Sequence, residues 1–412
     1  MKIHSIDTFP VKLKLRHPFR IANVVNHDMY YVIIRVTSDC GITGWGEAVP
    51  AWEVTGETQF SVIDTINHLC DPSRTGITLI GQDISDLEAV RLLMRTLSPD
   101  KSPAPFRGAP SAKAAFEEAV FDACARAAGV PVHSLFDAEN APVPFNRVIS
   151  ILPVNETLEK IEEAVSEGAE VIKVKTGING ACGLSGFKRD VAVIRHGRRI
   201  IENSGRNILF AADANQGYAT PETTIELCRR IEGCLDWLEQ PILADNLQGF
   251  RLIKEHCSVP LMADESIQGY RDAKALLEDD GVDSLNLKLM KTGGMLEALR
   301  IADLACEYGV KCQMGSMLEN QIGTAMCAHA FLCHENIVSS EIDSWLRLRE
   351  CIGTGMKASQ QTVELPHSPG IGVDVNIEDV LRHIITGEDS ATLAQARRGF
   401  SVPLPAAGLE EC

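Results

Sequence analysis

Charged side chains follow a series of short apolar segments in the middle of this chain, at regular intervals. Three of them are carboxylates, Asp213, Glu239 and Asp264, which lie 26 and 25 residues apart. Each interval is about the length of one strand-plus-helix unit, so the acids are expected at neighbouring strand ends. A carboxylate that ends an apolar strand is costly unless it is paired or binds a metal ion. Taken singly, each acid could cap a helix, but three hard oxygen ligands on rigid strand ends together suit Mg²⁺.

Lysines occur in the same series. Lys173 and Lys175 are two residues apart in a predicted strand, so both side chains point the same way. The alternative interpretation is a pair of exposed surface lysines. Their mutual repulsion is expected to depress one pKa toward the range of a base. Lys288, 24 residues beyond the third acid, is expected across a barrel from this pair. Bases on opposite faces of a carboxylate would remove the neighbouring proton on one face and return it on the other.

One further lysine is interpreted differently. Lys291 lies three residues after Lys288, and we expect it to face elsewhere and to begin a helix.

Short apolar segments alternate with amphipathic helical segments from about residue 147 onward. Eight such strands imply a parallel (β/α) barrel, whose carboxyl ends carry the functional side chains. The crossover after the eighth strand is ambiguous, so a barrel of seven complete strand–helix units and a partial eighth unit fits equally well. The predicted strands are 148–153, 171–174, 208–212, 237–238, 261–263, 284–289, 311–314 and 337–342.

The first part of the chain has a different pattern. Segments 3–15 and 30–37 are rich in β-branched and aromatic residues, and the turn at 39–41 predicts a hairpin. Apolar residues then recur on one helical face over 112–128. This order predicts an α+β domain ahead of the barrel.

Composition excludes several classes of protein. The chain has 412 residues and a formal net charge of -17, which argues against a nucleic-acid partner. Its 13 cysteines are scattered without a Cys-x-x-Cys pair, so reduced thiols are expected rather than a zinc site or disulfide framework. No signal sequence or membrane-spanning segment is recognisable. We therefore expect a cytoplasmic protein with no membrane partner.

The charged motifs resemble those of the enolase superfamily, in its muconate-lactonizing subgroup and closest to the dipeptide epimerases. The resemblance implies a modified (β/α)7–8 TIM-like barrel with an N-terminal α+β capping domain completed by the C-terminal segment. The expected boundaries are 1–135, 140–360 and 361–412. The matching motifs are Lys173-Val-Lys175, Asp213-Ala-Asn215, Glu239-Gln-Pro241, Asp264-Glu-Ser266 and the segment 286–294.

The resemblance also implies a role for each matching residue. Lys175 and Lys288 would be the acid/base pair, and Lys173 would tune Lys175 and contact the substrate carboxylate. Asn215 and Glu265 would support the metal site, although a turn residue and a helix-capping acid are equally good interpretations. The Mg²⁺ ligands would be Asp213, Glu239 and Asp264.

Substrate recognition is expected at the eighth strand and in the capping domain. Dipeptide epimerases hold the substrate ammonium group with an Asp-x-Asp pair, and this chain has Glu341-Ile-Asp343 there. These acids could instead bind water or a neighbouring lysine. Two further groups are predicted at the pocket: Met317 and Glu319 beyond the seventh strand, and the lid residues Phe19, Arg20 and Trp52. The lid residues could also be plain core, and an aromatic and acidic pocket would suit a cation.

The predicted activity is Mg²⁺-dependent removal and return of a proton next to a carboxylate, through an enediolate. Epimerisation of a dipeptide from L,L to L,D is the leading hypothesis. Alternatives are an N-acylamino-acid racemase, a muconate-type cycloisomerase, a dehydratase for an acid sugar or amino acid, and a catalytically silent barrel. A homo-oligomer is expected from the resemblance. Two segments, 97–110 and 178–186, exceed the usual lengths of the family.

Overall fold

The computed structural model describes residues 1–71, 73, 78–97, 106, 108–177 and 183–385. Most of the predicted insertion at 97–110 and the first part of that at 178–186 lie outside the described residues. The end of the predicted C-terminal segment, 386–412, lies outside them too. No helix in the described ranges is both long and apolar enough to cross a membrane.

The chain begins with a three-stranded antiparallel meander, as predicted for an α+β domain. The turn between its second and third strands contains Gly41 at a φ of 84°, a conformation that favours glycine. The strands are β1 (Ile3–Arg20), β2 (Val25–Ser38) and β3 (Thr43–Ala48). The helices that follow are α1 (Trp52–Thr55), α2 (Gln59–Cys70), α3 (Leu87–Thr96) and α4 (Pro110–Ala128).

Helix α4 lies directly on β3 because two glycines remove the side chains that would separate them. A Cβ atom on Gly44 would lie 2.0 Å from the carbonyl oxygen of Ala119. A Cβ atom on Gly46 would lie 1.9 Å from that of Ala115. The close approach places the acidic side chains of α4 beneath the meander, at the boundary with the second domain.

Eight parallel strands form the second domain, with neighbours in strict sequence order, as the alternating pattern predicts. The backbone N–H of Asn146, just before the first of them, donates to the carbonyl of Ser340 in the last at 2.7 Å and joins the two edges. The strands are β5 (Arg147–Ile149), β6 (Val171–Lys175), β7 (Leu209–Asp213), β8 (Trp237–Glu239), β9 (Leu261–Ala263), β10 (Ser284–Leu287), β11 (Lys311–Met314) and β12 (Ile337–Ser340).

Helices connect each strand to the next. The structure resolves the ambiguity of the last unit: β12 is followed by a 3-10 helix (Ser344–Arg347) rather than by another crossover. The connecting helices are α5 (Val154–Ser166), α6 (Gly183–Asn203), α7 (Pro221–Arg230), α8 (Leu247–His256), α9 (Tyr270–Glu278), α10 (Leu289–Thr292), α11 (Met295–Glu307) and α12 (Gln321–Leu332).

The segment beyond the barrel returns to the first domain. The backbone N–H of Ile371 donates to Asp122 of α4 at 2.8 Å, and the carbonyl of His383 accepts from Lys12 of β1 at 3.0 Å. A small antiparallel sheet and one more helix complete the described chain: β4 (Val143–Pro144), β13 (Lys357–Ala358), β14 (Thr362–Glu364) and α13 (Ile377–Arg382). We propose to keep 1–135, 140–360 and 361–412 as the domain boundaries.

Candidate active site

Strand alternation and register bring the predicted charged groups to one level of the barrel. In β6, Lys173 and Lys175 point to the side opposite Ile172 and Val174, and all four side chains are buried. The register pairs Lys175 with Asp213 of β7, and Asp213 in turn with Glu239 of β8. Each side chain therefore lies at the carboxyl end of its strand, where barrel sites form.

The three predicted metal ligands converge. Asp213, Glu239 and Asp264 are fully buried, and each offers a carboxylate oxygen within 4.8 Å of those of the other two. The side-chain oxygen of Gln240 accepts from the backbone N–H of Asp264 at 2.8 Å, which holds the third acid in place. Three buried hard oxygen donors fit a divalent cation.

Lysines surround the three acids as counterions. Lys173 Nζ lies 2.6 Å from Glu239 and 3.6 Å from Asp213 Oδ2, and Lys175 Nζ donates to the same Oδ2 atom of Asp213. Lys288 follows β10, on the far side of the barrel from β6, and its Nζ atom donates to Asp264 Oδ2 at 2.7 Å. The predicted base pair thus flanks the acids, with one lysine on each outer ligand.

The lysines and the other acids shift the pKa values of Asp264 and Glu239 in opposite directions. Burial alone would raise the pKa of Asp264, but Lys288 and Lys291 hold it well below the usual range. Burial and the carboxylate of Asp213 raise the pKa of Glu239 to about 8. A dication among the three oxygens would favour the ionised form of all three acids.

The predicted depression of a lysine pKa is not seen at Lys173. Burial lowers its pKa, but the carboxylates of Glu239, Glu341 and Asp213 outweigh that effect and raise the pKa well above its usual value. Lys288 behaves in the same way through Asp264. At Lys173 and Lys288, the carboxylates of the site therefore decide the direction in which the pKa moves.

Lys291 faces the acids of the site. The prediction that it faces elsewhere is therefore wrong. Its ammonium group is fully buried and lies 2.5 Å from Asp264 Oδ1, and it also donates to the carbonyl of Asp264. The cause is α10, a single helical turn that begins right after Lys288 and brings the residue three positions on back to the same side. Recognising that turn in the sequence would have predicted this contact.

Asn215 and Glu265 lie beside the acids, at the floor of a cavity. Asn215 Nδ2 donates to Glu265 Oε1 at 3.0 Å, and the backbone N–H of Asn215 donates to Asp213 Oδ1 at 2.8 Å. Asn215 Oδ1 and Glu265 Oε2 are buried without a hydrogen-bond partner in the described part of the chain. These two free acceptors fit donors such as water molecules on a bound cation, so a supporting role remains our prediction for both.

The cavity has a volume of about 400 Å³ and opens between the capping domain and the barrel. Lys175 and Lys288 line its floor. Predicted pocket residues that also line it are Phe19, Trp52, Met317, Glu341 and Asp343. A volume of this order accommodates a ligand of dipeptide size.

Two predicted pocket residues lie elsewhere. The side chain of Arg20 is exposed outside the cavity, while its carbonyl accepts from Ser150 Oγ at 2.9 Å. Glu319 is fully buried behind the wall and accepts from the backbone N–H of Met317 at 2.7 Å. Burial raises the pKa of Glu319 to about 7. The structure therefore does not support direct substrate contacts for either residue.

Both acids at the eighth strand already have cationic partners. Glu341 Oε1 lies 2.5 Å from Lys173 Nζ, in line with the alternative that an acid there binds a neighbouring lysine. Asp343 Oδ2 lies 3.0 Å from Arg347 Nη2, in the 3-10 helix. Arg347 was not singled out from the sequence, although the four-residue spacing from Asp343 is a usual one for an ion pair.

The chain is similar over most of its length to proteins of known activity. A model described as "Mandelate racemase / muconate lactonizing enzyme, N-terminal domain" matches residues 3–136, and one described as "Enolase C-terminal domain-like" matches residues 156–380. The N-succinyl-L-Arg/Lys racemase of Bacillus cereus is 30% identical over 391 residues, covering 94% of this chain and 99% of the relative. Its crystal structure is similar with a TM-score of 0.83 at 29% identity.

Other relatives carry different activities on the same fold. The L-Ala-D/L-Glu epimerase of Bacillus subtilis is 30% identical over 377 residues, covering 90% of this chain and 97% of that protein. The muconate lactonizing enzyme of Pseudomonas fluorescens is 26% identical, with a TM-score of 0.83 over 93% of this chain and 99% of that one. The chain therefore belongs to the enolase superfamily, in its muconate-lactonizing subgroup.

Proposed function

We propose that this protein moves a proton at the carbon next to the carboxylate of an N-substituted amino acid. Epimerisation of a dipeptide from L,L to L,D is the first candidate reaction. One observation supports the proposal above all others. Lys175 and Lys288 approach the buried acid triad from opposite sides, and both line the same cavity. That arrangement is what proton removal on one face and return on the other requires.

The three acids Asp213, Glu239 and Asp264 would hold the cation, and we propose Mg²⁺ because all three offer hard carboxylate oxygens. When bound, the ion would withdraw electron density from the substrate carboxylate and so acidify the neighbouring C–H bond.

The lysines of this chain perform the proton transfers in the proposed reaction. Starting from one epimer, one of Lys175 and Lys288 is neutral and takes the proton, and the other is charged and supplies one to the opposite face. Starting from the other epimer, the roles exchange. Lys173, which is fully buried beside Glu239 and Asp213, would donate to the substrate carboxylate and favour its enediolate form.

A second candidate is racemisation of an N-acylamino acid. The ion pair between Asp343 and Arg347 favours it, because an acid that is already neutralised attracts a substrate ammonium group less strongly. The racemase relative acts on N-succinyl amino acids, and the epimerase relative acts on a dipeptide. Cycloisomerisation and dehydration would use the same lysines, but no observation in the described residues favours either reaction.

The test is exchange of the α-proton for deuterium, followed by NMR in D₂O with Mg²⁺ over a set of L,L-dipeptides and N-acylamino acids. We expect exchange with inversion at one α-carbon, and the rate at which the inverted product forms should fall by about 10²- to 10⁴-fold in Lys175→Ala and in Lys288→Ala. Lys160→Ala, an exposed lysine paired with Glu163, serves as the control. Undiminished exchange in both variants, or none with any compound, would contradict the proposal.

We also infer a cytoplasmic location and a homo-oligomer, from the thiol-rich composition and from the family resemblance respectively. Light scattering after size-exclusion chromatography would measure the mass in solution, and a monomer would refute the second inference.

A further inference from the structure

Two acids follow β12, and each is paired with a base, Lys173 of β6 or Arg347 of the 3-10 helix. This pairing decides which charge a ligand meets there. Glu341 and Asp343 are both nearly buried, each 6% exposed. Lys173 neutralises the first at 2.5 Å, and Arg347 neutralises the second at 3.0 Å. A ligand at this wall therefore meets two ion pairs and not two open carboxylates.

This pairing disfavours a free ammonium group in the ligand. To reach Asp343, an ammonium group would have to displace the guanidinium of Arg347 or lie against it, and like charges in a poorly solvated pocket repel strongly. Displacing Arg347 would also remove its hydrogen bond to the carbonyl of Val148, which is 3.1 Å long.

Arg347 itself presents unused donors to the cavity. Its Nη2 atom serves both Asp343 and Val148, whereas Nε and Nη1 have no hydrogen-bond partner among the described residues. The side chain is 24% exposed and lines the cavity that contains Lys175 and Lys288. The guanidinium carbon lies 5.0 Å from the ring centroid of Phe19, a contact that restricts its orientation. A guanidinium held on one edge and open on another matches a carboxylate well.

The order of groups along the wall sets the direction of the ligand. Lys173 lies 3.6 Å from Asp213 of the acid triad and 2.5 Å from Glu341, so Glu341 borders the reacting end of the cavity. Asp343 and Arg347 follow Glu341 along the chain and line the same cavity. A ligand whose α-carboxylate is at the triad would extend its N-substituent along this wall toward Arg347.

We propose that Arg347 is a specificity-determining residue, and that it binds a carboxylate at the far end of the substrate's N-acyl group. The favoured substrates are then N-acylamino acids whose acyl group is itself a dicarboxylic acid, such as N-succinyl derivatives, rather than dipeptides with a free ammonium group. Asp343 acts as a positioning residue that holds Arg347 in place. The inference rests on the proposed proton transfer and selects between its two substrate classes.

The experiment compares three N-substituents on the same amino acid. N-succinyl, N-acetyl and glycyl derivatives of alanine, leucine, lysine and glutamate are supplied to the Mg²⁺-loaded enzyme, and kcat/KM is measured by α-proton exchange. We expect the N-succinyl form to be preferred at least about tenfold. In Arg347→Met the preference should be lost, as expected for a missing charge-assisted pair, while kcat/KM of the N-acetyl form changes by less than about threefold.

Matched variants separate recognition from folding. Arg349→Met removes an exposed arginine two positions on, whose Nε donates to the carbonyl of Leu15 outside the cavity, and should leave all three substrates unchanged. Arg347→Met combined with Asp343→Asn removes both charges of the pair, so no unpaired buried acid remains, and should lose the preference just as the single variant does. Arg347→Lys should restore part of it.

Two results would overturn the inference: faster exchange of the glycyl than of the N-succinyl forms, or an equal loss on all three substrates in Arg347→Met. The second would indicate a purely structural role. If no compound exchanges at all, the proposed function has failed. Calorimetric titration of N-succinyl and N-acetyl lysine into the wild type and Arg347→Met then still tests binding by Arg347, and equal affinities would refute it.

Discussion

Single residues of this site are governed by the balance between acids and bases. Five buried carboxylates meet four ammonium groups. Nearby acids raise the pKa values of Lys173 and Lys288, whereas burial lowers that of Lys291. The acids are Asp213, Glu239, Asp264, Glu265 and Glu341, and the bases are Lys173, Lys175, Lys288 and Lys291. A bound dication would add positive charge to this cluster and lower the lysine pKa values, the direction that a base requires.

Lys291 provides a prediction at the same scale. In Lys291→Met, Asp264 loses a buried partner for both a side-chain oxygen and its carbonyl. Breaking a buried pair on one side costs about 3–5 kcal/mol, so we expect the free energy of unfolding to fall by about that amount. Urea denaturation monitored by circular dichroism measures it.

The exposed Lys160→Met serves as the control and should change the free energy of unfolding by less than about 0.5 kcal/mol. An equal, small effect of both substitutions would show that Lys291 is not an essential counterion of Asp264.

At the scale of elements, the contact of α4 with β3 positions the capping domain. Three acids of the capping domain point from this contact into the barrel or its C-terminal segment. Glu117 accepts from the backbone N–H of Leu296 in α11 at 3.0 Å, and Asp122 accepts from Ile371. Glu47 of β3 accepts from Asn320 at 2.7 Å, at the start of α12. Carboxylates at helix N-termini bind unpaired N–H groups, and they fix how the lid sits over the cavity.

Gly46→Ala tests this packing. The added methyl group would meet the carbonyl oxygen of Ala115 at 1.9 Å, so either the strand or the helix must shift. We expect a loss of about 2–3 kcal/mol in the free energy of unfolding, together with a higher KM because the lid is displaced. Thermal denaturation and steady-state kinetics measure the two effects.

The matched control is Gly269→Ala, where a Cβ atom would have no neighbour within 4 Å and the backbone is extended at a φ of 173°. This substitution should leave both quantities nearly unchanged. If Gly46→Ala behaved in the same way, the close contact would not determine the position of the lid.

At the scale of the whole molecule, the two domains are joined through a buried acid whose charge depends on pH. Burial raises the pKa of Glu47 to about 8, although the N–H groups of Asn320 and Gly323 oppose the change. The folded pKa exceeds the unfolded value of about 4.5, so the folded state binds the proton more tightly. Glu47 therefore makes its full contribution to the free energy of unfolding below about pH 4.5, and this contribution is lost as pH rises through about 8.

Glu47→Gln keeps the shape of the side chain and removes its titration. We expect the free energy of unfolding of the wild type to fall relative to that of the variant as pH rises from 5 to 8. Urea denaturation at three pH values measures it. A difference that is constant over this range would show that Glu47 does not titrate there.

Much of the molecule could be predicted from its sequence because the relevant patterns are local. Strand alternation, helical periodicity and the charged group at each strand end all depend on neighbouring residues. They sufficed for the eight strands, for the acid triad, and for Lys175 and Lys288 on opposite sides of it. The register of parallel strands then brings side chains at equivalent strand ends together without further information.

Only the tertiary structure decided which charges neutralise one another and which side chains reach the cavity. Glu341, which follows β12, meets Lys173 of β6, and the turn of α10 aims Lys291 at Asp264. Arg20 and Glu319 lie outside the cavity, whereas Arg347 lines it. These outcomes depend on the directions of side chains that are distant in sequence, or on a single helical turn, and no periodic pattern contains either. Local spacing therefore determined the chemistry of this site, and long-range packing decided the charge that a substrate meets.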